Sequence, residues 1–384
     1  MNHSLLRLGG ALFLWGIGES MFLLFQPVYL QELGASPIEI GAILGAFGAA
    51  MTLTHIPAGH LSDRLGRRPM LIAAWAVGVI ATLLMATARS LPVFIAGLLL
   101  YGLTAFVASP LDSYTTAARG KWSVGRAITF VSMTFNAGAI VGPLIGGQIA
   151  DQHGFRIVYF IAAGIFVLST LAVFSVSAQP RDHHDLDNPP GALLRNRRYL
   201  AFVCIFFFVA FAAYVPQPLS SNYLRNQAGL SLSSIGQLIS IAYLGTTVMA
   251  LVLGQLEART GFVLGQAAVA AFSVLMWQGL GFGWFAIGYF LLGGYRPVRS
   301  LGVAQVRGFV HKSQMGLAYG VAETLGSAST LLAPPLAGLL YSLDPGLMYP
   351  TGLGLVLLGI VLTLARVPRS TVPSQDHVDF AMEP

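Results

Sequence analysis

Five ionisable side chains lie inside long apolar stretches of the chain: Glu19, Asp112, Arg296, Arg299 and Glu323. Unpaired charges are expensive in an apolar medium, so each of these residues is a candidate functional group. A carboxyl group with few water neighbours binds and releases a proton near neutral pH, which makes Glu19 a candidate proton carrier. The alternative is a permanently paired structural acid, with Arg296 as its partner.

Arg296 and Arg299 are three residues apart and therefore share one face of a helix. Arginine stays charged even when it is buried, so the pair must meet an acid, carbonyl groups or an anionic ligand. Ion pairing and anion binding both remain open for these two residues. Glu323 belongs to a polar stripe with Ser327 and Thr330, a pattern that favours bonding between helices.

Aromatic and amide side chains at similar depths are candidates to line a central cavity. They would offer stacking surfaces and hydrogen bonds to a ligand, although each is also compatible with ordinary packing. These candidates are Phe22, Gln26, Tyr214, Gln217 and Tyr289.

The composition is that of a membrane protein, because 55% of the residues are hydrophobic and 9% are charged, against about 25% charged in soluble domains. A single cysteine excludes an internal disulfide and a multi-cysteine metal site. A bilayer core needs about 20 apolar residues per helix. Twelve such helices are predicted, at 6–30, 38–61, 70–88, 92–116, 126–149, 156–178, 199–222, 233–256, 263–281, 284–305, 316–341 and 347–366.

The basic residues predict the orientation of these helices. With both termini in the cytoplasm, sixteen of the 21 Lys and Arg residues fall on the cytoplasmic side. Three fall outside, at Arg89, Arg156 and Arg225, and two lie within the tenth span. This bias supports the number and orientation of the spans and disfavours a protein that binds nucleic acid. Because the first apolar run lacks a cleavage pattern, the expected location is a bacterial cytoplasmic membrane.

The chain is predicted to consist of two related halves. A six-helix bundle at 1–178 is followed by a cytoplasmic linker at 179–198, a second bundle at 199–366 and a disordered cytoplasmic tail at 367–384. Several features recur 191 residues later: Gln26-Pro27 as Gln217-Pro218, Gly102 as Gly293, Gly125 as Gly316 and Pro143 as Pro334. Parallel halves with a central site between them are a transporter architecture.

Two motifs give the chain a family resemblance. The loop GHLSDRLGRR after the second span resembles the signature of the major facilitator superfamily, with Gly59, Asp63, Arg64, Gly66, Arg67 and Arg68 at the matching positions. The fifth span is similar to the motif of proton-coupled exporters in that superfamily, through Gly138, Gly142, Pro143, Gly146 and Gly147. The resemblance implies an all-α fold of twelve transmembrane helices in two pseudo-symmetric six-helix bundles.

The resemblance also implies roles for individual residues. The loop motif would form a cytoplasmic gate in which Asp63 faces the start of span eleven and Arg67 pairs with Asp112. Spans one, four, seven and ten would line the cavity. The fifth-span glycines would let a neighbouring helix approach closely. One departure stands out: Leu98 occupies the place of an arginine that related exporters carry, so Glu19 would have to carry the proton.

The predicted function is that of a secondary active, proton-coupled exporter of small amphipathic or drug-like compounds that works by alternating access. The alternative is a carrier of an organic anion or a sugar-like metabolite that uses Arg296 and Arg299. An enzyme is disfavoured because the sequence has no HExxH, GxSxG or phosphate-loop motif. No cofactor or metal site is predicted. The expected partners are a small-molecule substrate, protons and lipid, and one chain suffices for function.

Overall fold

The computed structural model describes residues 3–177, 196–306, 309–310 and 315–367, without the side chains of 55–64 and 315–317. Regular secondary structure in these ranges is helical. The predicted linker as far as residue 195 and the tail from residue 368 lie outside the described residues. The side chains of Asp63 and Arg64 in the loop motif also lie outside them, and Gly59 is described only as part of the helical backbone.

The first half contains eight α-helices and two short 3-10 turns. In chain order they are α1 (His3–Ser20), a 3-10 turn (Leu23–Phe25), α2 (Gln26–Glu32), α3 (Pro37–Leu65), α4 (Arg67–Thr87), α5 (Leu91–Leu103), a 3-10 turn (Thr104–Val107), α6 (Ala108–Ala118), α7 (Val124–His153) and α8 (Phe155–Phe174).

The second half repeats this order. Its helices are α9 (Arg197–Tyr214), α10 (Ser220–Asn226), α11 (Leu232–Leu253), α12 (Ala258–Gln278), α13 (Phe282–Leu292), α14 (Tyr295–Gln305), α15 (Met315–Leu343) and α16 (Met348–Arg366).

Ten helical segments in the described part of the chain are long and apolar enough to cross a membrane. The two remaining predicted spans, 284–305 and 316–341, are helical as well. The first is divided into α13 and α14 at Gly293-Gly294, and the second is α15, which contains two prolines and Glu323. The first segment is therefore too short in each of its two pieces, and the second is too polar, to be counted as a membrane span by length and apolar character alone.

Four predicted spans are interrupted, and they are those expected to line the cavity. The breaks lie at 21–25, 104–107, 215–219 and 293–294. The last two repeat the first two at an offset close to that of the sequence duplication. Broken helices in transporters present backbone and side chains to a central site, so the duplicated breaks mark the four helices at which a site is expected.

Each half packs around the same pairs of helices. In the first half, α1 packs against α7 and α8, and α4 packs against α8. In the second half, α9 packs against α15 and α16, and α12 packs against α16. The halves meet along two seams, α3 with α15 and α7 with α11. This pairing is the pseudo-symmetry that the duplicated sequence predicts.

Glycine crossings make the two seams alike at atomic detail. A Cβ atom on Gly41 would overlap the carbonyl oxygen of Pro334, and one on Gly236 would overlap that of Pro143. The two prolines are 191 residues apart, the offset that relates the halves in the sequence, and the two glycines are 195 apart. Small residues at a crossing let two backbones touch, so the halves are closely packed at both seams.

The halves are also hydrogen-bonded at one end of the molecule, the end that carries the connections 33–36 and 227–231 and is called the far end below. The Ser221 hydroxyl donates to the Leu24 carbonyl at 2.7 Å. The Asn222 amide nitrogen donates to the Pro27 carbonyl at 3.0 Å and to the Gln31 side chain at 2.7 Å. The far end is therefore closed in this structure.

Asp151 adds an electrostatic contact to this closure. Its carboxylate accepts hydrogen bonds from the backbone N–H groups of Leu232 at 2.9 Å and Ser233 at 2.6 Å. These groups lie at the N-terminal end of α11, where unpaired N–H donors and the helix dipole favour an anion. An acid in the last turn of α7 thus binds the N-terminal end of a helix of the second half.

We expect Asp151→Ala to destabilise the protein by about 1 kcal/mol, the usual cost of losing a helix cap. The unfolding midpoint should fall by about 2–4 °C, as for a 150–250-residue domain. Thermal unfolding of purified protein in detergent measures this. Gln152→Ala, at the exposed neighbouring residue, is the control. Equal midpoints for the two variants would contradict the cap.

Candidate central binding site

Glu19 lies in the last turn of α1, half-buried between the halves. Trp15, one turn earlier, donates from its indole Nε1 to Glu19 Oε2 at 2.8 Å. The indole is itself held in place, because it stacks on Phe166 with 4.0 Å between ring centroids. Gly78 leaves room for it, since a Cβ atom there would overlap the indole. One carboxylate oxygen of Glu19 is therefore fixed against the first half.

Tyr101 of α5 lies beside this carboxylate. Its hydroxyl group is close to both Glu19 and Trp15 and is buried without a hydrogen-bond partner. A buried hydroxyl group without a partner is costly. It is therefore available to the carboxylate after a small movement, or to a ligand.

Arg296 approaches from the second half. It lies in the first turn of α14, is exposed, and holds its guanidinium group over the Tyr243 ring at 5.9 Å from the centroid. It is near enough to Glu19 for an electrostatic interaction. Among the described side chains, however, it forms no ion pair. A carboxylate and a guanidinium group thus face each other across the two halves without contact.

Arg299 has a different environment. Its Nη2 atom lies 3.4 Å from Glu323 Oε2 and donates to Ser327 Oγ at 3.2 Å. Glu323 therefore bonds between helices, as the polar stripe of α15 indicates. The sequence left both ion pairing and anion binding open for the two arginines. The structure shows an ion pair for Arg299, whereas Arg296 has none among the described side chains.

Two tyrosines contribute a flat surface from the second half. Tyr214, at the end of α9, is half-buried and stacks on Tyr295 with 5.5 Å between centroids. The Tyr295 hydroxyl group is buried without a partner. Gln217 is half-buried in the break after α9, and its amide nitrogen donates to the Ala213 carbonyl at 2.6 Å. Of the predicted cavity residues, Tyr214 and Gln217 thus keep some exposure.

Three predicted cavity residues lie elsewhere. Phe22 is fully buried within an aromatic cluster, 4.8 Å from Tyr159 between centroids. Gln26 is 1% exposed, and Tyr289 packs edge-on against Phe272 at 5.8 Å. For the first two, the expectation assumed a straight helix beyond Glu19. Because α1 ends at Ser20, the chain turns there and the shared face is lost.

The described part of the loop motif has structural contacts. Gly66 joins α3 to α4 with φ of 92°, a left-handed conformation that favours glycine. Arg67 is buried, and Arg68 donates to the Phe174 carbonyl at 2.9 Å. Arg259, 191 residues after Arg68, donates in the same way to the Leu364 carbonyl at 2.8 Å. Arg68 thus ties α4 to α8 within the first half.

The predicted pairing of Arg67 with Asp112 is not found as an ion pair. Asp112 is exposed on α6, and its electrostatic neighbour is Glu323 of α15, across the interface between the halves. The reason is that Asp112 lies near α15 of the second half, where its charged neighbour is an acid and not Arg67 of α4.

The fifth-span glycines lie against the backbone of α1. Cβ atoms on Gly138 and Gly142 would overlap α1 backbone atoms, and one on Gly146 would overlap the backbone of Met21 just beyond the end of α1. Gly147 makes the equivalent contact with Leu232 of α11. With Pro143, these residues are all buried. The smooth face therefore joins the helix that carries Glu19 to the seam between the halves.

Comparison with known proteins identifies the fold. The family model described as Major Facilitator Superfamily matches residues 8–294 and 202–380. The chain belongs to the major facilitator superfamily. It is a multi-pass membrane protein with the all-α, two-bundle fold of that family, whose members are transporters and not enzymes.

Solved structures agree on the fold. The nucleoside transporter NupG superposes with a TM-score of 0.77 at 14% identity over 94% of this chain and 98% of that one. A bacterial homologue of the human lysosomal transporter Spinster, in an inward-facing and occupied conformation, superposes with a TM-score of 0.72 at 17% identity over 94% of each chain.

Curated relatives add names from drug resistance. Multidrug resistance protein MdtG of Proteus mirabilis is 32% identical over 267 residues, and the match spans 65% of each protein. Tetracycline resistance protein, class G, of Vibrio anguillarum is 27% identical over 380 residues, 92% of this chain and 95% of that protein. Multidrug resistance protein 2 of Bacillus subtilis is 22% identical over 89% of this chain and 91% of its own length.

The sequence did not single out Trp15, Tyr243 or Tyr295 as site residues. Trp15 carries a usable signal, because it lies four residues before Glu19 and thus on the same helix face. Tyr243 and Tyr295 carry none, since their contacts depend on how separate helices pack.

Proposed function

We propose that this protein is a proton-coupled exporter of small amphipathic, drug-like compounds that works by alternating access. The names of its relatives support the cargo class. One observation carries the coupling: the half-buried Glu19 carboxylate lies between the halves, held by Trp15 and facing an unpaired Arg296. An acid placed there can respond to proton, cargo and conformation together.

The proposed cycle requires proton and cargo to exclude one another at Glu19. The ionised carboxylate binds cargo from the cytoplasm, and protonation from the other side weakens that binding and releases the cargo. Such mutual exclusion is a negative coupling between two ligands, and each must weaken the other by the same factor. Tyr101, Trp15 and Arg296 surround the acid and determine how proton binding and cargo binding compete there.

Arg296 takes the place of the arginine that span four lacks. Leu98 is fully buried and apolar, so the first half offers no cation at that position. The cation near Glu19 comes instead from α14 in the other half. Because the two halves rock during alternating access, the field that Arg296 exerts on the acid changes with conformation.

The glycine contacts support the movement itself. With both termini in the cytoplasm of a bacterium, the closed far end is the outer side of the membrane, and the two seams at Gly41 and Gly236 lie beside it. The halves would pivot there, while Asp63, Arg64 and Arg67 of the loop motif close the cytoplasmic side in the opposite state. One chain holds both halves of this site, so a monomer suffices.

A second candidate function is a carrier of organic anions. The exposed, unpaired Arg296 favours it, whereas Arg299 is already neutralised by Glu323. An anion that binds Arg296 when Glu19 is protonated would travel with the proton rather than against it.

Purified protein in liposomes separates the two functions. Tetracycline is a suitable first cargo because one relative is named for resistance to it. With an imposed pH step, an antiporter accumulates cargo on the acidic side and a symporter on the alkaline side, each relative to protein-free liposomes. If neither tetracycline nor any compound of an amphipathic panel responds to the pH step, proton coupling is excluded.

A further inference from the structure

The central site has one negative and one positive end, and the two ends belong to different halves. Glu19 is anchored to the first half by the 2.8 Å hydrogen bond from Trp15. Arg296 is anchored to the second half, where its guanidinium group lies 5.9 Å from the centre of the Tyr243 ring. The two charges interact electrostatically but are held apart by their own neighbours.

Arg299 is an arginine of this region whose side chain has polar partners. It has a carboxylate at 3.4 Å and a hydroxyl oxygen at 3.2 Å. Arg296, one turn away on the same helix, has neither among the described side chains and is more exposed. Because the acid is nearby but not in contact, the Arg296 guanidinium group keeps unused N–H donors that a ligand can bind.

The surfaces around these charges are aromatic. Trp15 and Tyr101 flank Glu19 with nearly parallel rings, 6.3 Å between centroids and 10° between planes. Tyr243 lies beneath Arg296. The buried Tyr101 hydroxyl group has no partner and lies at the Glu19 end. All three rings are buried, with Trp15 9%, Tyr101 4% and Tyr243 7% exposed, so they form the wall behind the two charges and fix their positions.

We propose that the site binds small zwitterions, with the ammonium group of the cargo at Glu19 and its carboxylate at Arg296. This inference rests on the proposed export function and names its cargo class. Such a ligand contacts one half at each end, so its affinity depends on the distance between Glu19 and Arg296. Protonation of Glu19 removes one end of the bridge, which is the exclusion that antiport requires.

Compounds with a single charge should bind more weakly, because one protein charge then stays unpaired. A hydrogen bond to a charged group contributes about 1.5–3 kcal/mol, and 1.4 kcal/mol corresponds to a factor of ten. Loss of either charge should therefore weaken binding by about tenfold or more.

A matched series of probes tests this with the purified full-length protein in nanodiscs. The zwitterion is 4′-(aminomethyl)biphenyl-4-carboxylate, the cation is its methyl ester, and the anion is its N-acetyl derivative. The single-ring analogues of all three vary the spacing between the charges. Isothermal calorimetry should give a Kd for one of the zwitterions at least about tenfold below those of its ester and its N-acetyl derivative.

Variants locate the two ends. In Arg296→Gln, the Kd of the zwitterion should rise to that of the ester, and the Kd of the ester should not change. Arg296→Lys should restore part of the preference for the zwitterion. Glu19→Gln should bring the zwitterion to the level of the anion. Arg299→Lys, which keeps the charge beside Glu323, is the matched control and should change none of the ratios.

The wild-type series alone keeps the proposal falsifiable if a variant fails to fold. An ester that binds as tightly as its zwitterion at both spacings would overturn the proposal, as would an Arg296→Gln variant that weakens all three probes equally. These outcomes are distinct from failure of the export function. If pH drives cargo movement but zwitterions are not preferred, proton-coupled export stands and the zwitterion site is refuted. If zwitterions bind preferentially but pH drives no cargo movement, proton-coupled export is refuted and the zwitterion site stands.

Discussion

A Glu19→Gln variant is expected to lose pH-driven accumulation of cargo while still exchanging cargo down its own gradient. For one proton per cargo, each unit of pH can support about a tenfold concentration ratio, because a unit of pH corresponds to about 1.4 kcal/mol. Glutamine keeps the shape and can still accept from Trp15 Nε1, but it cannot bind a proton. The ratio should therefore fall to one.

Liposomes with an imposed pH step measure this ratio, and counterflow of labelled cargo measures exchange in the same preparation. Glu32→Gln is the matched control, because it makes the same change at an exposed position at the end of α2. It should keep the wild-type ratio. If Glu19→Gln retains full accumulation, Glu19 has no part in coupling, and another acid such as Asp112 would have to supply it.

The fold could be predicted from the sequence because lipid allows so few solutions. Apolar runs of about 20 residues must be helices, since the backbone has to satisfy its own hydrogen bonds. The duplication also carried through to contacts, as the glycine crossings show. Helix breaks were not predicted, since a break such as that at Gly293-Gly294 depends on packing around it rather than on hydropathy.

The candidate site was predictable only in part. Glu19 and the two arginines follow from the cost of charge in an apolar stretch. The sequence cannot say which arginine is paired, because that depends on Glu323 and Ser327 of another helix reaching Arg299 and not Arg296. It also misplaced Phe22, because a face extrapolated along a helix is lost once the helix ends at Ser20.

Filling the seam between the halves is the second change for which we expect a large effect. In Gly236→Val, the new side chain would overlap the Pro143 carbonyl oxygen. Backbone atoms cannot give way as a flexible side chain can, and overpacking of this kind costs about 1–3 kcal/mol. The far-end-closed state should lose about ten- to a hundredfold in population relative to the open state, and transport should slow accordingly.

Distances between spin labels across the far end report this shift. Cys204→Ser removes the single native cysteine, and Arg89→Cys with Leu280→Cys places one exposed label on each half. Gly164→Val is the matched control, because a Cβ atom at that position of α8 meets nothing within 4 Å. A closed population equal to that of the control would show that the seam tolerates bulk and is not part of the closure.

The pseudo-symmetry makes this prediction stronger than a single substitution could. Gly41 meets Pro334 as Gly236 meets Pro143, so Gly41→Val should shift the population in the same direction. Gly41→Ala and Gly236→Ala already add the offending Cβ atom and serve where valine prevents folding. If both seams belong to one closing movement, the double alanine variant should open the far end further than either single variant. A shift from one seam alone would mean that the halves part at one side without rocking.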